Sequence, residues 1–338
     1  MIDVLAVDDS AVIREAMKLV FADPQLFHIR TAPDAAVARS RIAGQRPDVI
    51  LLDLEMPGEH GLVLLRDLVK TTRIPVVICS AVPSGSVEAR AALKSGAVDF
   101  VAKPKLQSGR LCAEAAQLVV DAVQAAAQLG RRRREGSAPE PARAPVEPRF
   151  DRPRAIVVGV STGGPDALAR LAPHFLATSP GTVIVQHMPE GYTRALVESL
   201  GELVPRGVSV REARDGDLVE PGGILIAPGG RHTSVEAHGI TLQTRVFDDA
   251  LVSRHRPSVD VLFESAAHAL GNRGLGLIMT GMGDDGVRGL KRMAEAGART
   301  IAQDRASSAV WGMPGAAVEA GAATLTLSLA QLATLWDY

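Results

Sequence analysis

Gly159-Val160-Ser161-Thr162-Gly163-Gly164 follows directly on the apolar run Ala155-Ile156-Val157-Val158 and precedes Pro165 and an amphipathic segment. Apolar, mostly β-branched residues bounded by glycine predict a buried parallel strand. Pro165 suits the first turn of a helix, where its missing N–H costs nothing. The stretch therefore reads as strand, tight turn, helix, with Ser161 lifted above the carboxyl edge of a sheet. Gly-x-Ser-x-Gly in this setting fits a nucleophile turn: the glycines leave room for a substrate, and the helix N-terminus offers free N–H groups to a developing oxyanion. A phosphate or dinucleotide loop also places glycines before a helix. Neither Gly-x-Gly-x-x-Gly nor Gly-Lys-Ser/Thr is present here, however.

A chain of 338 residues, 46% of them hydrophobic, can furnish two cores. The 37 basic and 38 acidic residues balance, so no global field draws the protein to nucleic acid or to an anionic membrane. Met1-Ile2-Asp3-Val4 has no basic segment ahead of an apolar one, and no apolar run reaches membrane-spanning length. A cytoplasmic protein without membrane insertion, a monomer, is expected. Cys79 and Cys112 are too few for a disulfide framework and read as reduced.

The first half alternates strand and helix. Val4–Val7 runs into Asp8-Asp9-Ser10, Val49–Leu52 into Asp53, Val76–Cys79 into Ser80, and Val98–Val101 towards Lys103-Pro104. In an open parallel sheet, ligands sit beyond the carboxyl ends of the strands, which gathers Asp8, Asp9, Asp53, Ser80 and Lys103 into one cleft. Three carboxylates there repel unless a hard cation joins them, and Mg2+ suits oxygen ligands. A carboxylate can also be phosphorylated, with Ser80 and Lys103 as residue types that would hold the phosphoryl oxygens.

In order and spacing, these elements resemble a two-component response-regulator receiver domain. The resemblance implies a five-stranded parallel, flavodoxin-like domain over residues 1–128. It implies Asp53 as phosphoacceptor, Asp8, Asp9 and Asp53 with the backbone carbonyl of Glu55 as Mg2+ ligands, and Ser80 and Lys103 as the phospho-switch. Glu59-His60-Gly61 departs from the family, which usually carries an acid before the glycine, and this puts partner contacts there in doubt.

A helix-like segment from Cys112 to Leu129 meets Arg131–Arg134 and then Pro139, Pro141, Pro145, Pro148 and Pro153. Residues 129–152 read as an Arg/Pro-rich flexible linker that cannot bury a core. The arginine run is short, lacks interleaved aromatics and is followed by acids, which argues against a nucleic-acid patch.

In residues 153–338 the run Thr182–Val185 ends at Gln186-His187, and Gly274–Met279 leads into Thr280-Gly281-Met282-Gly283-Asp284-Asp285-Gly286. A serine, a histidine and an acid, each at the end of its own parallel strand, meet the requirement for an activated nucleophile. The order Ser, His, Asp differs from the α/β-hydrolase order, so the turn alone does not imply that fold. Asp284 and Asp285 are both candidates for the orienting acid. No His-x-His or His-Glu-x-x-His spacing supports a metal site.

Gly-Val-Ser-Thr-Gly-Gly, Val-Gln-His-Met-Pro, Met-Thr-Gly-Met-Gly-Asp-Asp-Gly and Ala-Gln-Asp-Arg-Ala-Ser-Ser-Ala-Val-Trp-Gly-Met-Pro together resemble the catalytic domain of chemotaxis protein-glutamate methylesterases. The resemblance implies a doubly wound, mostly parallel, Rossmann-like α/β hydrolase domain. Ser161 would be the nucleophile, His187 the base and Asp285, rather than Asp284, the acid. Thr162, Gly163 and the Met282 amide would line the oxyanion cleft, with no cofactor for ester hydrolysis. It also implies a chemotaxis histidine kinase as phosphodonor and chemoreceptor cytoplasmic helices as substrate, with glutamine deamidation beside ester hydrolysis. A receiver fused to a nucleotide-binding module is the alternative of a different class. No basic helix-turn-helix supports a transcription factor.

Overall fold

The computed structural model describes residues 1–80, 87–104, 106–107, 110–134 and 152–337. The chain divides into two compact units, Met1–Ser137 and Ala138–Tyr338.

The first unit runs β1 (Ile2–Val7), α1 (Ala11–Val20), β2 (Phe27–Ala32), α2 (Ala35–Gly44), β3 (Val49–Leu52), α3 (Gly61–Thr71), β4 (Val76–Ser80), α4 (Val87–Lys94), β5 (Asp99–Ala102), a short antiparallel pair β6 (Leu106–Gln107) and β7 (Arg110–Leu111), and α5 (Ala113–Arg134). Its main sheet is parallel throughout, in the order β2-β1-β3-β4-β5. The chain moves outward from β1 in one direction to β2 and in the other from β3 onward. The crevice at this reversal opens beyond the carboxyl ends of β1 and β3. Val4, Ala6, Val49, Leu51 and Val77 pack with Met17, Phe21 and the Val119, Ala122, Val123 and Ala126 face of α5.

Helix α5 corrects one expectation. Leu129–Arg134, assigned from composition to the linker, continue the helix. Arginine is a good helix former, and cations are favoured at a helix C-terminus. Arg134 Nη2 donates to Asp48 Oδ1 at 2.7 Å, and Gly130 lies so close to Pro75 that a Cβ there would meet the ring at 2.9 Å. Pro139, Pro141, Pro145 and Pro148 lie outside the described residues.

The second unit comprises β8 (Ala155–Val160), α6 (Gly164–Leu171), β9 (Gly181–Gln186), α7 (Tyr192–Gly201), β10 (Ser209–Glu212), β11 (Gly223–Ile226), the hairpin β12 (His232–His238) and β13 (Thr241–Phe247), α8 (Val259–Leu270), β14 (Gly274–Ile278), α9 (Val287–Glu295), β15 (Arg299–Gln303), α10 (Met313–Glu319), β16 (Leu325–Leu327) and α11 (Leu329–Leu332). Seven parallel strands lie in the order β10-β11-β9-β8-β14-β15-β16. β8, β9 and β14 are buried along their whole length, as near-continuous apolar runs require when helices cover both faces. The order reverses between β8 and β14, which makes their carboxyl ends the natural ligand crevice. The antiparallel hairpin β12–β13 is an addition to the parallel sheet. Its Val235, Leu242 and Val246 join Leu262, Phe263 and Ala266 of α8 in the core. Among the described residues, no helix is long and apolar enough to cross a membrane.

Candidate active site and receiver cleft

At the reversal in the second sheet, the turn after β8 is fixed by its own backbone. Ser161 N donates to Thr280 O at 2.9 Å, and Gly164 N to Ser161 O at 2.8 Å. Gly163 caps α6 with φ 78°, and a side chain there would also meet Ala309 Cβ at 2.5 Å, so only glycine fits on both counts. Ser161 and Thr162 are buried at the base of the edge, and Thr280 Oγ1 donates to Thr162 O at 2.8 Å. Gly281 faces the serine so closely that a Cβ on it would lie 2.7 Å from Ser161 Cβ.

His187 follows β9, and its amide donates to Val160 O at 3.0 Å, which sets it beside the serine turn. Its ring Nε2 pairs with Asp285 Oδ2 at 2.8 Å. The other ring nitrogen, Nδ1, is buried and without a hydrogen-bond partner among the described residues. It is therefore the atom left to take a proton. Asp285 is 1% exposed whereas Asp284 is exposed, so of the two neighbours it is Asp285 that faces the imidazole. Met282 lies between Gly281 and Gly283 in the same loop, half-buried.

The Asp285 carboxylate is held from four sides. Besides His187 it accepts from Ser258 Oγ at 2.8 Å, Val259 N at 2.8 Å and Asp260 N at 3.1 Å. Burial alone would raise its pKa, but the hydrogen bond from His187 and the donors at the start of α8 hold it below the ordinary carboxylate range.

Three further residues, to which the sequence reading gave no role, shape this edge. Gln186 Nε2 donates to the carbonyls of Ser161 and His187, both at 3.0 Å, tying the two turns together. Asp260, from the first turn of α8, accepts from Gly286 N at 3.1 Å and Gly289 N at 2.8 Å. His255 stacks on His187, with ring centroids 3.7 Å apart and planes within 4°. The Gln-His dipeptide at a strand end and an acid in an otherwise apolar helix start were the available signals for the first two. His255 lies in a loop and carried none.

In the first unit the strand ends gather the expected groups. Asp8, Asp9 and Asp53 bring carboxylate oxygens within 4.8 Å of one another, with Asp8 and Asp53 buried and Asp9 exposed. Lys103 Nζ lies 2.7 Å from Asp53 Oδ2 and 2.9 Å from Asp8 Oδ2. Burial opposes the Lys103 charge, but these two carboxylates push its ammonium up; burial pushes the Asp8 carboxyl up. Glu55 N donates to Asp53 Oδ1 at 3.2 Å, and Ser80 is buried at the end of β4, where its carbonyl accepts from Lys103 N at 3.4 Å. His60, at the position where an acid was expected, caps α3: its Nδ1 accepts from Leu62 N at 3.3 Å. The donor set is all oxygen and already draws one cation, Lys103, between its two buried members. That chemistry fits a hard divalent ion.

Comparison with known proteins agrees with both halves. Residues 4–116 match the response regulator receiver domain and residues 156–335 match the CheB methylesterase. A protein-glutamate methylesterase/protein-glutamine glutaminase of Anaeromyxobacter dehalogenans is 48% identical, over 96% of this chain and 93% of its own. One from Pseudomonas aeruginosa is 44% identical, over 98% and 95%. The crystal structure of the Thermotoga maritima CheB methylesterase catalytic domain is 32% identical, with a TM-score of 0.52 over 56% of this chain and 99% of that one. With its receiver half, its parallel second sheet and near-full-length relatives at this identity, the chain belongs to the CheB methylesterase family.

Proposed function

We propose that the protein is a phosphorylation-activated hydrolase that cleaves the γ-methyl esters of glutamates, and deamidates glutamines, on chemoreceptor cytoplasmic helices. The observation that carries the reading is the buried His187–Asp285 pair beside Ser161 at the reversal of a parallel sheet.

In the reaction, Ser161 Oγ attacks the ester carbonyl while His187 takes its proton on the ring nitrogen that Asp285 does not hold. Asp285 keeps the imidazole oriented and offsets the positive charge it gains. The carbonyl oxygen becomes an oxyanion against the cleft of Thr162, Gly163 and the Met282 amide. The tetrahedral intermediate collapses, His187 returns the proton, and methanol leaves; an amide substrate releases ammonia by the same route. Water, deprotonated by His187, then cleaves the acyl-enzyme to glutamate and restores Ser161. Hydrogen bonds between a catalytic hydroxyl and its base commonly tighten only with substrate bound.

The receiver supplies control. Asp53 accepts a phosphoryl group from a chemotaxis histidine kinase, and Lys103 and Ser80 hold its oxygens. Asp8, Asp9, Asp53 and the Glu55 carbonyl would bind Mg2+, which when present offsets phosphoryl charge during transfer. The segment that follows Arg134 then acts as the connection between switch and hydrolase, in a cytoplasmic monomer.

The decisive test is methanol release from methylated receptor by wild-type and Ser161→Ala proteins. Loss on the order of 10³-fold or more, with Asp53 phosphorylation retained, is the expected result. Substantial methanol release by Ser161→Ala would sink the assignment.

A further inference from the structure

His255 sits on a turn that local preference does not favour. Ser253 and Arg254 adopt φ of 50° and 67°, a left-handed conformation at two consecutive residues other than glycine. Surrounding bonds hold it there. Val252 and His255 exchange amide–carbonyl hydrogen bonds of 3.2 and 2.9 Å across the turn. Ser253 Oγ donates to Asp260 Oδ2 at 3.0 Å. Asp260 is the same buried acid that binds the amides of Gly286 and Gly289 next to Asp285. One carboxylate thus ties the strained turn to the loop of the catalytic acid. What the turn delivers is the flat stack of His255 on His187, 3.7 Å between centroids at 4°.

A second histidine against a catalytic one would ordinarily compete for protons. Three groups face the His255 ring: His187 after β9, Asp285 after β14, and Arg254 on its own turn. Burial, then the neighbouring His187, push it down to about 3, with Asp285 opposing and Arg254 assisting. Burial and the neighbouring ring therefore both favour the uncharged form of His255.

Resting on the catalytic reading above, we infer that His255 is a positioning residue for the hydrolysis: a flat plate that fixes the rotation of the His187 ring and keeps water off one of its faces. Rotation matters because one ring nitrogen must stay on Asp285 while the other meets the Ser161 hydroxyl. Small misplacements of reacting groups are costly in rate. Water exclusion matters because it keeps the imidazolium from being over-stabilised, and so keeps the neutral base available.

The inference separates shape from ionisation. His255→Ala removes the plate and admits water to the exposed face. It is expected to lower kcat about 10- to 100-fold with KM within about threefold, and to move the acid limb of the kcat/KM–pH profile to higher pH. His255→Phe restores a flat, non-titrating face; it is expected to recover most of the lost kcat and to return the acid limb to its wild-type position. Should His255→Ala fail to fold, His255→Leu, which fills the space without a flat face, takes its place in the comparison. An unchanged kcat and acid limb in the non-aromatic variant overturns the inference. So does a His255→Phe enzyme as impaired as the non-aromatic one, since the imidazole itself would then be required. Ser161→Ala assayed alongside distinguishes the two levels of failure. If it matches wild type, the catalytic reading and the role of His255 fall together; if it is inactive while His255→Ala is normal, only the role of His255 falls.

Discussion

Asp260 and Asp285 cap each other's helices. Asp285 accepts from Val259 N and Asp260 N at the start of α8, and Asp260 accepts from Gly286 N and Gly289 N at the start of α9. Each carboxylate lies at the positive end of the other's helix and satisfies amides that would otherwise be orphaned there. Asp285 is thereby fixed by an exchange between two helix starts rather than by its own loop.

Asp260→Ala leaves those α9 amides without acceptors in a buried setting. A loss of about 1–3 kcal/mol is expected, seen as a drop of several degrees in the melting temperature of the second unit. Because the Asp285 loop loses its anchor, kcat should fall as well. Calorimetry and methanol release on one preparation check both; a variant with normal melting and normal kcat would show the exchange to be inert.

The two acids should respond oppositely to pH. Asp285 is held below the ordinary carboxylate range, so its contribution to stability is present above that range and is lost as pH falls through the lowered value. Asp260 is raised, burial being the first cause, so it favours the fold while protonated, and that contribution is lost as pH rises through its raised value. Relative to wild type, Asp285→Asn should close its stability deficit as pH falls, whereas Asp260→Asn should close its deficit as pH rises. Melting curves between about pH 3 and pH 7 bracket the ordinary carboxylate value. Parallel curves for the two variants would contradict the opposite environments.

In the receiver, Lys103 bridges Asp53 and Asp8 at 2.7 and 2.9 Å. Lys103→Met leaves two buried carboxylates facing each other without that cation, a type of change that costs about 3–5 kcal/mol. Mg2+ should restore more melting temperature to this variant than to wild type, because the ion replaces the missing charge. Asp8→Ala should weaken Mg2+ binding, and Asp53→Asn should abolish phosphorylation. Equal Mg2+ responses in wild-type and Lys103→Met proteins would remove the carboxylate cluster as the metal site.

How far the sequence reached depended on the kind of signal. Strand-end polar residues were legible because buried parallel strands are apolar runs, and a run that stops at Asp53 or His187 announces its carboxyl end. β2, Phe-His-Ile-Arg-Thr-Ala, was not, since as an edge strand it keeps half-exposed polar residues and shows no apolar run. The hairpin β12–β13 was missed because it adds an antiparallel element where the alternation suggested a parallel one. At the site, residue type left Asp284 and Asp285 open and the family resemblance pointed to Asp285; the structure buries Asp285 and leaves Asp284 exposed. His255, whose partner is 68 positions away in sequence (255 less 187), became visible only in the stack.

The last expectation concerns the space beside Ser161. A Cβ on Gly281 would lie 2.4 Å from Met313 Sδ and 2.7 Å from Ser161 Cβ. The two clashes differ in how they relax. The Met313 side chain is unbranched and can turn aside. Ser161 cannot, because its amide is bonded to Thr280 O and its carbonyl to Gly164 N and Gln186 Nε2. Gly281→Ala should therefore cost only about 1–3 kcal/mol in stability while displacing the serine turn enough to lower kcat by roughly 100-fold. Since neither partner of the His187–Asp285 pair is substituted, the pH profile of the residual activity should keep its wild-type shape. The measurement pairs a melting curve with a full pH profile. A Gly281→Ala enzyme with wild-type kcat would mean that the serine turn yields where its hydrogen bonds say it is fixed.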